Sequence, residues 1–139
     1  MSVHDAVVDL MRRELDADEY HEIRELWKKH SIAEDSRDLP GLISTLTEDC
    51  VYELVQTGQR WEGHEGAARF YTELLSTYPN IHFDLTSIVI GPQGVFEEAD
   101  VSASQGGERV EWKVAILFPW DPEARLFKGE RVWTDRPIS

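Results

Sequence analysis

The stretch Arg109-Val110-Glu111-Trp112-Lys113-Val114-Ala115-Ile116-Leu117-Phe118 runs through Pro119-Trp120-Asp121-Pro122 and returns as Leu126-Phe127-Lys128-Gly129-Glu130-Arg131-Val132-Trp133-Thr134-Asp135. Successive side chains of a strand point to opposite sides, so Val110, Trp112, Val114, Ile116 and Phe118 share one face. With two amphipathic helices upstream to cover it, this apolar wall makes a filled core or a lined cavity. Acids and a histidine fall near its rim, which predicts a small-molecule pocket.

Upstream of this pair, Val7, Leu10 and Met11 lie at helical spacing, and Asp16-Ala17-Asp18 separates them from a second stripe. That stripe is Ile23, Leu26, Trp27 and His30, spaced i, i+3, i+4, i+7 on one helix face. Asp38 before Leu39-Pro40-Gly41 predicts an N-cap with proline in the first turn of a short helix burying Leu42, Ile43 and Leu46. A strand from Cys50 to Val55 follows. Ala67, Phe70, Tyr71, Leu74 and Leu75 then mark a second covering helix, stopped by Pro79-Asn80. Strands are predicted from His82 to Ile90 and Val95 to Ser104, with turns at Gly91-Pro92-Gln93-Gly94 and Gln105-Gly106-Gly107. Helices first and antiparallel strands after predict an α+β domain over 1–139 in which a curved sheet wraps helices, with residues 1–19 as a helical extension.

Composition narrows the function. Its 139 residues suit one domain able to bury a core unaided. Cys50 is the single cysteine, so no intrachain disulfide forms, no zinc-type cluster exists, and a reducing cytoplasm fits. A net charge of −13, with no basic run longer than Arg12-Arg13 or Lys28-Lys29, repels nucleic acid and anionic lipid. The N-terminus lacks the pattern of a signal peptide, and no apolar run is long enough for a membrane helix. No Gly-x-Ser-x-Gly, Cys-His pair or His-Glu-x-x-His is present, and Gly63-His64-Glu65-Gly66 lacks the lysine of a phosphate loop.

Several pieces in order resemble the SnoaL-like polyketide cyclases, within the cone-shaped fold shared by nuclear transport factor 2, ketosteroid isomerase and limonene epoxide hydrolase. They are Arg37-Asp38-Leu39-Pro40-Gly41-Leu42, then Leu46-Thr47-Glu48-Asp49-Cys50-Val51-Tyr52, then Trp61-Glu62-Gly63-His64-Glu65-Gly66 before Phe70-Tyr71, then Tyr78-Pro79-Asn80, and last Gly129 to Asp135. The resemblance spans about residues 20 to 135. It implies a cone-shaped antiparallel sheet around N-terminal helices, a homodimer across the outer face of the sheet, no cofactor or metal, and a general acid and base at Asp135. Where the isomerases carry an aspartate, a second acid and an oxyanion-stabilising tyrosine, the similar positions here hold Leu54, Ile116 and His30. The Gly-Thr-His turn of many cyclases is replaced by Ala103-Ser104-Gln105-Gly106-Gly107.

The residues themselves supply candidates. His30, on the stripe that should line the cavity, can take or give a proton near neutral pH. Tyr52 shares a strand face with Leu54 and Gln56, and its phenol could orient a carbonyl or stabilise an enolate. Glu130 and Asp135 lie five residues apart and face opposite sides unless a bulge intervenes, so the register of the last strand chooses between them. An acid buried against aromatics has its pKa raised toward that of a useful base. Trp27, Phe70, Trp112, Ile116, Phe118 and Trp133, with Leu54 and Gln56, are the expected lining, suited to a flat apolar ligand. Glu97, Glu98, Asp100, Glu111 and Lys113 suggest a polar outer face interrupted by Ala115 and Leu117.

The expected function is cofactor-free proton transfer on a small hydrophobic carbonyl compound: cyclisation, isomerisation or dehydration. The alternative is a non-catalytic ligand-binding or dimerisation module. A third reading, epoxide hydrolysis, would need Asp100, Arg131 and another carboxylate to converge on one water.

Overall fold

Two glycines at positive φ, Gly106 at 59° and Gly107 at 83°, reverse the chain between its two longest strands, because only glycine adopts this geometry in a tight hairpin without strain. The next hairpin turns on Asp121, whose Oδ1 accepts from the backbone N–H of Glu123 at 2.9 Å and of Ala124 at 3.1 Å. The computed structural model describes residues 3–138; Met1, Ser2 and Ser139, included in the 1–139 reading, lie outside the described residues. Its elements are α1 (Val3–Arg12), α2 (Ala17–Asp35), α3 (Leu39–Ile43), β1 (Leu46–Leu54), β2 (Gln59–Glu62), α4 (Gly63–Thr77), β3 (His82–Gly91), β4 (Gly94–Gln105), β5 (Glu108–Asp121) and β6 (Leu126–Trp133).

The α+β expectation holds. The strands form one curved, unclosed sheet in the order β2-β1-β6-β5-β4-β3. Neighbours are antiparallel except β1 and β6, which run parallel and make the sheet mixed. The last strand thus inserts between the first strand and β5. Two features were not predicted: β2, and the start of β1 at Leu46.

Helices α2, α3 and α4 fill the concave side, while Leu10 of α1 lines a hollow with the outward-facing Glu53, Leu117 and Arg131. Asp16 and Asp38 cap α2 and α3, accepting from Glu19 N at 2.7 Å and Gly41 N at 3.0 Å, each cap worth about 1 kcal/mol. On α2, Ile23, His30 and Ala33 are buried and Leu26 and Trp27 half-buried, as the stripe predicts. Phe70, Tyr71 and Leu74 of α4 pack into the same core with Val114, Ile116, Phe118 and Trp120 of β5.

One glycine sets the side chains of β6. Gly129 has φ +114°, and a Cβ there would lie 1.9 Å from the carbonyl oxygen of Val51 on β1. Only glycine allows that approach. The pairing of β5 with β6 slips by one residue between Leu117 and Trp120, the signature of a bulge. Phe127 and Glu130, three residues apart, are therefore both buried. The last strand's acid turns inward through the bulge, and Asp135 falls beyond the strand's final residue, Trp133.

On the outer face, Lys113 and Asp100 pair at 2.6 Å, and Glu98 and Glu111 are exposed. Glu97 departs from that expectation. It lies on the opposite face of β4 and is buried.

Candidate active site

His30 is fully buried, and the proton on its ring can be placed by elimination. Thr45 Oγ1 donates to Leu42 O at 2.6 Å and lies 2.7 Å from His30 Nδ1. A hydroxyl has one proton, so Thr45 can only accept from the imidazole, and Nδ1 carries the hydrogen. The other nitrogen, Nε2, is 3.1 Å from Glu130 Oε2. Tyr71 Oη lies 3.3 Å from the same nitrogen, so Nε2 either accepts from the phenol or shares a proton with the Glu130 carboxyl group. Phe118 and Phe127 meet the imidazole edge-on, with ring centroids 5.2 and 6.1 Å away.

Two phenols and another acid complete the cluster. Tyr71 Oη donates to Glu130 Oε2 at 2.6 Å and lies 3.1 Å from Glu34 Oε2 and 3.3 Å from Tyr52 Oη. Its single proton serves one carboxyl group at a time, Glu130 at 2.6 Å or Glu34 at 3.1 Å. Burial, the Glu130 charge and the neighbouring acids push both phenols well above their ordinary range, keeping them as donors. Burial, reinforced by Glu130 and opposed by His30, raises Glu34 to about 7. Glu97, across the cone on β4, is raised to about 8 by burial and by the charges of Glu130 and Glu34.

Three hollows meet these groups. Inside the cone, a cavity of about 40 Å³ is bounded by Glu34, Tyr71 and Glu130 at one end and by Tyr78, Trp112 and Arg136 among others. That is room for a few waters. A space of about 60 Å³ lies between Glu34, Glu97 and Phe118. Outside the cone, between α2, α3 and α4, a wider hollow of about 350 Å³ also reaches Glu34 and Tyr71. His30, Glu34 and Glu130 each offer one atom within 4.8 Å of the others, a spacing that could hold a metal ion. The hydrogen bonds through Tyr71 explain the same closeness without one.

The SnoaL-like domain family matches residues 23–121. The chain belongs to that family. No curated protein matches this SnoaL-like chain in sequence. Among solved structures it is similar to a provisionally assigned SnoaL-like polyketide cyclase from a Jannaschia species (TM-score 0.76, 16% identity, covering 88% of this chain and 92% of that one). It is also similar to Bal32a from a soil-derived mobile gene cassette (TM-score 0.73, 16% identity, 84% and 92% covered). A third is a provisionally assigned ketosteroid isomerase from Kribbella flavida (TM-score 0.63, 22% identity, 85% and 81% covered). At these identities the likeness is one of fold.

Of the residues expected to act in this SnoaL-like chain, the structure brings His30, Tyr52 and Glu130 together. Asp135 is exposed beyond the end of β6 and stands apart from the cluster. Phe70, Trp112 and Ile116 line the cone cavity, Phe118 lines the space beside Glu97, and Leu54 is buried in the core. Three expected lining residues are corrected. Gln56 is exposed in the turn after β1 has ended at Leu54. Trp133 stands on the outer face, 5.2 Å beneath the Arg131 guanidinium. Trp27 packs at the edge of the core, its Nε1 buried without a hydrogen-bond partner. Asp100 and Arg131 also face outward, to Lys113 and Glu53 respectively, so the arrangement for epoxide hydrolysis does not form. Glu34 and Tyr71 were missed as site residues. The i, i+4 spacing of His30 and Glu34 was the available signal.

Proposed function

We propose that this protein binds a small hydrophobic carbonyl compound in its cone and moves a proton on it without a cofactor, as in isomerisation, cyclisation or dehydration. The observation that carries this is the 3.1 Å contact between the buried Glu130 carboxyl group and His30 at the end of an apolar cavity. Glu130 as carboxylate takes a proton from the carbon next to the carbonyl. The C–H electron pair moves into the enolate, whose oxygen accepts from a phenol of Tyr71 or Tyr52, held protonated by burial. The carboxylic acid then returns the proton to a second carbon, and His30 stabilises the carboxylate form of Glu130 before the first transfer and after the second. Asp135 has no part in this scheme.

The test is wash-in of solvent deuterium into β-tetralone, a flat bicyclic ketone with an acidic C–H. The protein should speed exchange over buffer, and Glu130→Gln should cut that gain about a hundredfold or more. Equal exchange with and without protein would remove the chemistry. The second reading, a non-catalytic binding module, is favoured by Leu54 and Ile116 in the core and by the small cavity. It predicts ketone binding without wash-in.

The working form we propose is a homodimer in a reducing cytoplasm. Leu85, Ile88 and Val89 of edge strand β3 are more than two-fifths exposed, as are Val7 and Leu10 of α1. Exposed apolar side chains along the unpaired edge of a sheet invite association.

A further inference from the structure

The cone cavity is small because the chain itself fills its mouth. Thr134 to Ile138, the segment after β6, belongs to no helix or strand, and pairing with β5 reaches only Trp133. Ile138 is nonetheless only 5% exposed, and with Pro137 and Arg136 it forms part of the cavity wall. Tyr78 Oη donates to the carbonyl oxygen of Pro137 at 2.7 Å. The guanidinium of Arg136 lies 5.2 Å from the ring centre of Trp112 and 5.9 Å from that of Tyr78, reaching Gln105 Oε1 at 2.7 Å. Its Nε is buried without a hydrogen-bond partner.

A buried apolar side chain beside a carbonyl that accepts from a phenol is the chemistry of the ligand proposed above. Only Ile138 of the segment is deep, Asp135 and Pro137 being exposed, and the segment is loosely tied: among the described residues, its hydrogen bonds to the rest of the fold are those two side-chain contacts, from Tyr78 and to Gln105. Segments held this way open before the rest of a fold does. We infer that Pro137 and Ile138 are a built-in surrogate ligand, and that a neutral apolar carbonyl compound enters by displacing them, giving its oxygen to Tyr78 and to the free Nε–H of Arg136. This rests on the reading of the cone as a site for such a compound.

The experiment uses the full chain and prodan, a neutral naphthyl ketone whose emission moves to the blue in apolar surroundings. Ile138→Asp, which expels the segment, should tighten prodan binding roughly tenfold or more, since the closed state no longer competes. Ile138→Ala should do so by a smaller factor. In the unaltered protein, the Ile138 methyl signals, set among aromatic rings, should shift to unstructured positions as prodan is added. The same dissociation constant in all three proteins overturns the inference. So does prodan binding that leaves the Ile138 signals in place, or no binding to any of the three. Prodan binding that displaces Ile138, together with no deuterium wash-in into β-tetralone, would bear on the chemistry alone and leave the surrogate ligand standing.

Discussion

Thr45 has one proton, and giving it to Leu42 O decides what His30 can do. Thr45→Val keeps the shape but leaves the Nδ1–H of a fully buried imidazole without an acceptor. A loss of about 1–3 kcal/mol is expected in chemical denaturation, with the tautomer freed to change in nitrogen NMR of the ring. The sequence marked His30, Tyr52 and Glu130 because each is a polar group among apolar neighbours in a periodic segment. It hid Glu34 and Tyr71 for opposite reasons. Glu34 lies among acids on the solvated end of α2, and Tyr71 sits beside Phe70 in a stripe that reads as packing. Their roles depend on a 2.6 Å contact between residues 59 positions apart, which no local pattern encodes.

The bulge in β6 shows what periodicity leaves open. Strict alternation from Phe127 would carry Glu130 to the outer face, and the bulge at Gly129 carries it inward instead. Gly129→Ala would place a methyl carbon against Val51 O, and a loss of about 3 kcal/mol or more is expected by denaturation, with new amide shifts along β1 and β6. The strands of β5 and β6 were legible because their large side chains repeat every second residue. β2, four residues with only Trp61 buried, was too short to show a period. The parallel pairing of β1 with β6 is a long-range choice, set by the close backbone approach at Gly129 that local composition does not announce.

For the whole molecule, the buried acids govern how stability responds to pH. Glu34 and Glu97 titrate at about 7 and about 8 when folded, against 4.5 for an ordinary glutamate. Raised folded values mean the folded chain keeps protons that the unfolded chain gives up sooner. Their contribution is complete below about pH 4.5 and is lost as pH rises toward about 8. The melting temperature should fall by several degrees between about pH 5 and about pH 8 in calorimetry, and Glu97→Gln should flatten the fall. Sedimentation velocity should show a dimer, with Val89→Glu shifting it toward monomer. The fold as a whole was legible because helices and strands are segregated along the chain. The occupancy of the cavity was not, because Pro137 and Ile138 look like a trailing end.

Glu34 and Tyr71 belong to two rooms at once, the cone on one side and the open hollow between α2, α3 and α4 on the other. Anything that fills the cone seals the first room and leaves the second unlocked. In the chemistry proposed above, the acid cluster is recharged from behind while its front is occupied. On that proposal, protons and ligand have separate doors.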